Sequence, residues 1–330
     1  MSDNASVPPV PPVRLGLGAD SLTPDAPDAL DALASPRAHR VQANGLEHHL
    51  LEWPAAGDER GTALLIHGYM DAAGTWDLVA PALAAAGLRV LAPDMRGYGE
   101  GPRAPAGSYY HFVDYVPDVA DIVDAAVGDG SHSPSSPLLL VGHSMGGTVS
   151  TLYAGAFPAR VTKLALLEGL GPPDNAPDVA PDRMTRWIAD MRALRARAKK
   201  DAGTREDLFR RLAMNHPHVA SEVLRGRLPH LVRELPDGRV AWRFDPLHKT
   251  SSPTPFFAKT FMAFAKRITS PTLFVSGGEN GFHPADEEER LSAFPKLRRV
   301  EIPDAGHMMH WTRPSELAAA LVSFWKDEST

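Results

Sequence analysis

The stretch that most constrains the fold is an apolar run, Leu138–Val141, that leads directly into the segment Gly142–Gly146 (sequence GHSMG). A short apolar run bounded by turn residues is typical of a strand buried on both faces, as in a parallel sheet. The pattern from Thr148 to Phe157 predicts a helix, so Ser144 is expected on a tight strand-to-helix turn. Glycines two residues before and after the serine suit a turn in which strand and helix approach closely. Such a turn presents the serine hydroxyl at the carboxyl edge of a sheet, beside a helix N-terminus that favours negative charge.

Short apolar runs alternate with helical patterns along most of the chain. Buried strands are predicted at Thr62–Ile66, Leu88–Ala92, Val161–Leu167, Thr272–Val275 and Arg298–Ile302, and Asn44-Gly45 predicts a hairpin that precedes them. Strands that alternate with helices imply a doubly wound, mostly parallel α/β sheet whose functional loops lie at the carboxyl ends of the strands.

The composition of the chain predicts three regions. Residues 1–38 are rich in proline and are expected to form an N-terminal arm that is disordered. Residues 39–170 and 266–330 carry the alternating pattern and are expected to form one α/β core. Residues 171–265 interrupt that pattern, lack short buried strands and contain helical spacings, which predicts a helical cap, or lid.

Composition and charge remove several classes of function from this 330-residue chain. The absence of cysteine excludes thiolate zinc sites, iron–sulfur clusters and a cysteine nucleophile. The net charge of -6 gives no indication of a nucleic-acid partner. No apolar run approaches the ~18 residues of a membrane span, and no secretory signal is visible, so a cytoplasmic protein is expected. The histidines at 48–49 and at 216–218 lack partner ligands, so we predict no metal and no other cofactor.

A serine nucleophile requires a base and donors for the developing oxyanion. On a sheet of this type the order along the chain is serine, acid, histidine. His307 follows a glycine in the loop after the last predicted strand and is the expected base, preferred to His310. The backbone N–H groups of Met145, directly after the serine, and of Tyr69, beyond His67-Gly68, are expected to form the oxyanion hole.

These features together resemble the α/β-hydrolase fold superfamily, in its serine-nucleophile branch with a helical lid. The resemblance extends over roughly residues 40 to 328 and rests on His67-Gly68-Tyr69, Asp94–Gly99, Gly142–Gly147 and Gly306-His307, in family order. It implies a cap inserted after the sixth strand and a Ser–His–acid triad. A weaker similarity to serine hydrolase-like members and esterases comes from Tyr115–Val119 and Trp242–Pro246.

The acid of the triad is the position at which the sequence departs from the family pattern. Family members usually carry Asp after the seventh strand, where this chain has Asn280. An amide cannot stabilise an imidazolium as an anion does. Glu168, at the end of the sixth predicted strand, is the preferred acid, because a glutamate that ends an apolar strand is costly unless it is paired. Glu279, adjacent to Asn280, is the alternative.

The expected function is therefore hydrolysis of an ester or related acyl bond in a small, apolar substrate molecule. The same triad and lid could instead hydrolyse a carbon–carbon bond of a diketone-like substrate. A third hypothesis, motivated by Asn280, is a ligand-binding protein with a degenerate triad, and acyl transfer to an alcohol is a fourth. A serine rather than an aspartate at position 144 argues against a mechanism in which a carboxylate attacks carbon.

Overall fold

The computed structural model describes residues 13–14, 35–128, 137–196 and 202–327. Its central feature is a nine-stranded sheet. Eight of its strands are numbered here as β1 (Arg37–Ala43), β2 (Leu46–Trp53), β3 (Gly61–Ile66), β4 (Leu88–Pro93), β5 (Leu138–His143), β6 (Lys163–Leu167), β7 (Thr272–Ser276) and β8 (Leu297–Glu301). The ninth is a two-residue strand, Val13–Arg14, that pairs in parallel with β8 at the edge of the sheet. The rest of the predicted N-terminal arm, apart from residues 35–38, lies outside the described residues.

The strands lie in the order β1-β2-β4-β3-β5-β6-β7-β8. β2 is antiparallel to both of its neighbours, and every other pair in this series is parallel. The predicted α/β-hydrolase sheet is therefore confirmed. Since parallel strands end at the same edge, the loops that follow β3, β5, β6, β7 and β8 converge above one part of the sheet.

Helices cover both faces of the sheet. They are α1 (Ala80–Ala85), α2 (Phe112–Val127), α3 (Met145–Ala156), α4 (Ala180–Ala196), α5 (Arg205–Asn215), α6 (Ser221–Leu231), α7 (Ala258–Ala265), α8 (Glu287–Leu291), α9 (Met309–Thr312) and α10 (Pro314–Lys326). Successive residues of a strand point to opposite faces, so Leu138 and Leu140 of β5 pack with α2, α3 and α7, whereas Leu139 and Val141 pack with α1 and α10. This arrangement explains why β5 is apolar at every position of the run that precedes its glycine. None of the helices that the structure describes has the length and apolar character needed to span a bilayer.

The segment between β6 and β7 is mostly helical, but it also contains a small antiparallel sheet. Three short strands, Ala202–Gly203, Val232–Glu234 and Val240–Trp242, pair with one another there. The expectation that residues 171–265 lack short buried strands is therefore wrong for Val240–Trp242, whose first two residues are buried. Strands of two or three residues are too short to produce an alternating pattern, although the Pro236-Asp237-Gly238 turn between the last two is a recognisable hairpin signal.

This inserted segment packs on the core through a third apolar cluster. Leu208, Leu212 and Leu228 of α5 and α6 meet core side chains from the loops that follow β3 and β8, among them Ala72 and Met308. The insertion therefore lies above the edge of the sheet at which the strand-end loops converge.

Candidate active site

Ser144 occupies a sharp turn between β5 and α3. The strand ends at His143 and the helix begins at Met145, so the predicted strand–turn–helix arrangement is present. The Ser144 backbone has φ 51° and ψ -116°, a conformation that residues with a side chain rarely adopt. A Cβ atom on Gly146 would lie 2.2 Å from the carbonyl oxygen of Ile66. A glycine is therefore required at this position for β3 and α3 to approach each other so closely.

The structure brings the predicted base and the preferred acid into contact. Glu168 follows β6 directly, and its Oε2 lies 2.8 Å from Nδ1 of His307 in the loop after β8. Because a carboxylate oxygen accepts hydrogen bonds, this contact assigns the proton of the neutral imidazole to Nδ1 and leaves a lone pair on Nε2. A histidine in this tautomer can accept a proton at Nε2.

Two backbone groups from the loop after β7 also bind the Glu168 carboxylate. The N–H of Gly277 donates to Oε1 at 2.6 Å, and the N–H of Phe282 donates to Oε2 at 2.6 Å. The side chain is buried, so these donors replace the water that an ionised carboxylate loses. Neither donor was identified from the sequence, because a backbone N–H can point to any residue that the fold brings near it.

The alternative acid lies elsewhere. Glu279 is exposed and makes no hydrogen bond or ion pair with His307 in the described part of the chain. Asn280 is also exposed, and its backbone carbonyl oxygen would lie 3.3 Å from a Cβ atom on Gly306. The loop after β7 therefore contributes backbone donors to Glu168 instead of a carboxylate of its own.

The two predicted oxyanion donors have free N–H groups. Among the described residues, neither the N–H of Tyr69 nor that of Met145 has a hydrogen-bond acceptor. Met145 is the first residue of α3, where backbone N–H groups have no partner within the helix.

His67 orients the peptide that carries the first of these donors. Its Nε2 accepts from the N–H of Met95 at 3.1 Å, so its Nδ1 carries the proton and donates to the carbonyl of Gly68 at 2.8 Å. In a trans peptide the next N–H points the opposite way from that carbonyl. His67 therefore fixes the direction of the Tyr69 N–H.

A second layer of titratable side chains lies behind the serine. Nε2 of His143 donates to the carbonyl of His307 at 2.8 Å, and Nε2 of His310 lies 2.9 Å from Oδ2 of Asp71. Burial lowers the pKa of His143 well below its usual value, so this ring is neutral. Burial alone would raise the pKa of Asp71, but hydrogen bonds from His310 and Thr75 outweigh it and hold the pKa below the usual value.

The same layer contains the group of described residues that could be considered as metal ligands. Candidate ligand atoms of Asp71, His143 and His310 all lie within 4.8 Å of one another, and all three residues are buried. Asp71 and His310 already pair with each other, and His143 already binds the His307 backbone. The cluster thus has the contacts of a hydrogen-bonded support behind His307.

A cavity of about 420 Å³ joins the predicted site residues. Its walls include Tyr69, Ser144, Met145, Glu168 and His307, but not the alternative acid Glu279. In the described structure no hydrogen bond joins the Ser144 hydroxyl to the His307 ring; such catalytic contacts are often long without substrate and shorten when it binds.

Sequence reasoning missed most of the remaining wall. The cavity is also lined by Tyr98, Tyr109, Tyr110, Tyr115, Phe282 and, from the inserted segment, His248. These residues come from the loop after β4, the start of α2, the loop after β7 and the insertion. No local spacing connects them, because only the packed loops bring them to one cavity.

Comparisons with known proteins agree with this architecture. The family model described as alpha/beta hydrolase fold matches residues 63–314, which is most of the chain. The chain therefore belongs to the α/β hydrolase fold family and is an α/β-hydrolase enzyme.

Individual relatives have low sequence identity to this chain, but their matches extend over most of it. A serine hydrolase-like protein from Dictyostelium discoideum is 23% identical over 281 residues, which cover 80% of this chain and 75% of that protein. An sn-1-specific diacylglycerol lipase from Mus musculus is 27% identical over 284 residues, which cover 84% of each chain. The crystal structure of a hypothetical protein from Pseudomonas aeruginosa PAO1 has a TM-score of 0.75 at 25% identity and covers 88% of this chain and 99% of its own.

Proposed function

We propose that this protein is a serine hydrolase that cleaves carboxylic esters or related acyl bonds through an acyl-enzyme. Ser144 is the nucleophile, His307 the base and Glu168 the acid of the triad. The observation that carries the proposal is the 2.8 Å contact between Nδ1 of His307 and Oε2 of Glu168, at the wall of the cavity that Ser144 lines.

The reaction follows from the roles of the serine hydroxyl, the imidazole ring, the carboxylate and the two backbone N–H groups. The Ser144 hydroxyl attacks the substrate carbonyl carbon and passes its proton to Nε2 of His307, and Glu168 stabilises the resulting imidazolium. The N–H groups of Tyr69 and Met145 bind the oxyanion that forms. Collapse of the intermediate expels the alcohol, which takes its proton from His307. Water then attacks the acyl-enzyme by the same route, releasing the acid and restoring Ser144.

The relatives support an ester as the substrate bond. Besides the mouse lipase, they include an esterase of Escherichia coli that is 26% identical over 242 residues, which cover 72% of this chain and 83% of that protein. Hydrolysis of an ester by a serine nucleophile needs no group beyond those named above.

Replacement of the nucleophile tests the proposal. We expect Ser144→Ala to lower kcat for p-nitrophenyl butyrate by about four orders of magnitude or more, because the remaining groups cannot form an acyl-enzyme. The same change should abolish covalent labelling by a fluorophosphonate, with the labelled peptide of the unmodified protein located by mass spectrometry. Ser150→Ala is the matched control, since Ser150 is a buried serine of the same helix that does not line the cavity.

Three outcomes contradict the proposal. Turnover that survives in Ser144→Ala would assign the nucleophile elsewhere. An unmodified protein that binds esters without cleaving them would be a binding protein. Hydrolysis of a diketone-like compound in the absence of ester turnover would replace the ester by a carbon–carbon bond.

A further inference from the structure

A second cavity, of about 690 Å³, adjoins the catalytic cavity and is not used by the proposed chemistry. The two cavities share a wall, because five residues line both of them: His111, Phe112, Pro172, Pro173 and Ser252. Ser144, Glu168 and His307 line only the first cavity. The space next to a substrate bound at Ser144 therefore contains none of the reacting groups.

The second cavity is chemically suited to hydrocarbon. Its described lining includes five phenylalanines, namely Phe112, Phe256, Phe257, Phe261 and Phe264. It contains no carboxylate among the described residues, and Arg183 is its one arginine or lysine. Burial of apolar surface is therefore the main free energy that this cavity can supply to a ligand.

Helix α3 connects the two cavities. Met145 and Thr148 line the catalytic cavity, and Leu152 lines the second one. Spacings of three and four residues place these side chains along one face of the helix. The face starts at Met145, whose N–H is the proposed oxyanion donor, so it leads from the position of the substrate carbonyl into the second cavity.

The position of the base distinguishes the two halves of an ester. The leaving alcohol must lie within hydrogen-bond reach of His307, which protonates it. His307 does not line the second cavity. The acyl half carries no such requirement, and the face of α3 leads from the oxyanion donor towards the second cavity.

We propose that the second cavity, called the acyl chamber from here on, binds the unbranched hydrocarbon chain of the substrate's acyl group. The inference rests on the proposed function and narrows its substrate class to long-chain acyl esters. Each methylene that enters the chamber should raise kcat/KM by up to about fourfold, the value expected for complete burial of a CH₂ group.

A chain-length series tests the assignment. We expect kcat/KM of the unmodified protein to rise from p-nitrophenyl acetate through butyrate and octanoate to decanoate. Leu152→Trp fills the chamber beside α3 and should lower kcat/KM for p-nitrophenyl decanoate at least about tenfold more than it lowers kcat/KM for p-nitrophenyl acetate. Leu78→Trp is the matched control, because Leu78 is an exposed leucine outside both cavities. Val116→Phe, on another wall of the chamber, is the second variant if Leu152→Trp does not fold.

Two results would overturn the proposal. One is a chain-length profile that is the same in the unmodified protein and in folded chamber variants. The other is a series of alkyl acetates, in which only the alcohol grows, that responds to Leu152→Trp as predicted for the acyl series. The second result would assign the chamber to the leaving group.

A binding measurement separates this proposal from the proposed function. Calorimetric titration of the Ser144→Ala variant with the free decanoate anion should show binding. Addition of Leu152→Trp to the same variant should weaken that binding by at least about tenfold. If Ser144 is labelled and cleaves esters but decanoate binding does not respond to Leu152→Trp, only the chamber is wrong. If decanoate binding responds but Ser144 does not react, the chamber stands and the proposed function fails.

Discussion

At the residue scale, the site depends on one buried carboxylate with three partners. Glu168 accepts from His307 and from the N–H groups of Gly277 and Phe282. The two backbone donors fix the orientation of the carboxyl group before substrate arrives. The imidazole is therefore held in the tautomer that leaves Nε2 free to accept a proton.

The proposed acid of the triad can be tested with two matched changes. Glu168→Gln keeps the side-chain volume but removes the negative charge that stabilises the imidazolium, and its amide N–H₂ group would face existing donors. We expect kcat for p-nitrophenyl butyrate to fall by about 10³- to 10⁴-fold. Glu279→Gln, the same change at an exposed site, should leave kcat within about twofold. The reverse pattern would assign the role of the acid to Glu279.

At the scale of elements, one short helix of the insertion is held against the loop that follows β4 by ring stacking and a hydrogen bond, and this contact is called the clamp. The 3-10 helix Pro246–Lys249 carries His248, whose ring stacks between the rings of Tyr98 and Tyr110. The distance between ring centroids is 4.0 Å to Tyr98 and 4.2 Å to Tyr110. The N–H of Asp245 donates to the carbonyl of Gly97 at 2.7 Å. Since Tyr98 and Tyr110 also line the catalytic cavity, the clamp joins the insertion to the cavity wall.

This clamp predicts a specific dependence of stability on pH. Burial, aided by the charge of Arg103, lowers the pKa of His248 from 6.5 to about 3. The unfolded chain therefore binds one more proton than the folded chain between these pH values, so the stability contributed by the neutral ring is lost as pH falls through that window. Within this window, His248 contributes about 1.4 kcal/mol per pH unit to the change in the free energy of unfolding with pH.

The measurement is the free energy of urea unfolding from about pH 6 to about pH 4. His248→Gln removes the titrating group, so the free-energy curve of the variant should be less steep by about that amount. Parallel curves for the two proteins would show that His248 does not titrate in this range. Loss of the stack should also lower the stability of the variant near neutral pH.

At the scale of the whole molecule, the insertion and the core share one apolar cluster. Leu208 of α5 is completely buried there, and Met308, which follows the proposed base, belongs to the same cluster. Unfolding of the insertion would therefore expose the side chain next to His307. We expect the insertion and the site to unfold together.

A truncation of Leu208 tests this coupling. Leu208→Ala should lower the free energy of unfolding by about 2–5 kcal/mol, the usual cost of a cavity in a packed core. Activity and tryptophan fluorescence should be lost at the same urea concentration. Met214→Ala, at an 80% exposed position of the same helix, should change stability by less than about 0.5 kcal/mol. Loss of activity at a lower urea concentration than fluorescence would show that the insertion unfolds separately.

Local spacing was sufficient to predict the parallel sheet, the Ser144 turn and the helical character of the insertion. Each strand, each helix and the Ser144 turn is encoded within a short stretch, as in the apolar run Leu138–Val141 and the glycines that follow it, and the alternation of these elements along the chain predicts the sheet. The small sheet of the insertion was missed because its strands are two or three residues long. Its Pro236-Asp237-Gly238 turn was the available signal.

The sequence by itself determined the family, the sheet and the residue types that the chemistry requires, because these depend on order and spacing along the chain. Only the tertiary structure decided which carboxylate meets the histidine. Glu168 and His307 are separated by 139 positions, and their contact depends on how the loops after β6, β7 and β8 stack at one edge. The same stacking encloses the two adjoining cavities. No local pattern specifies the relative position of side chains so far apart, because it results from packing between elements.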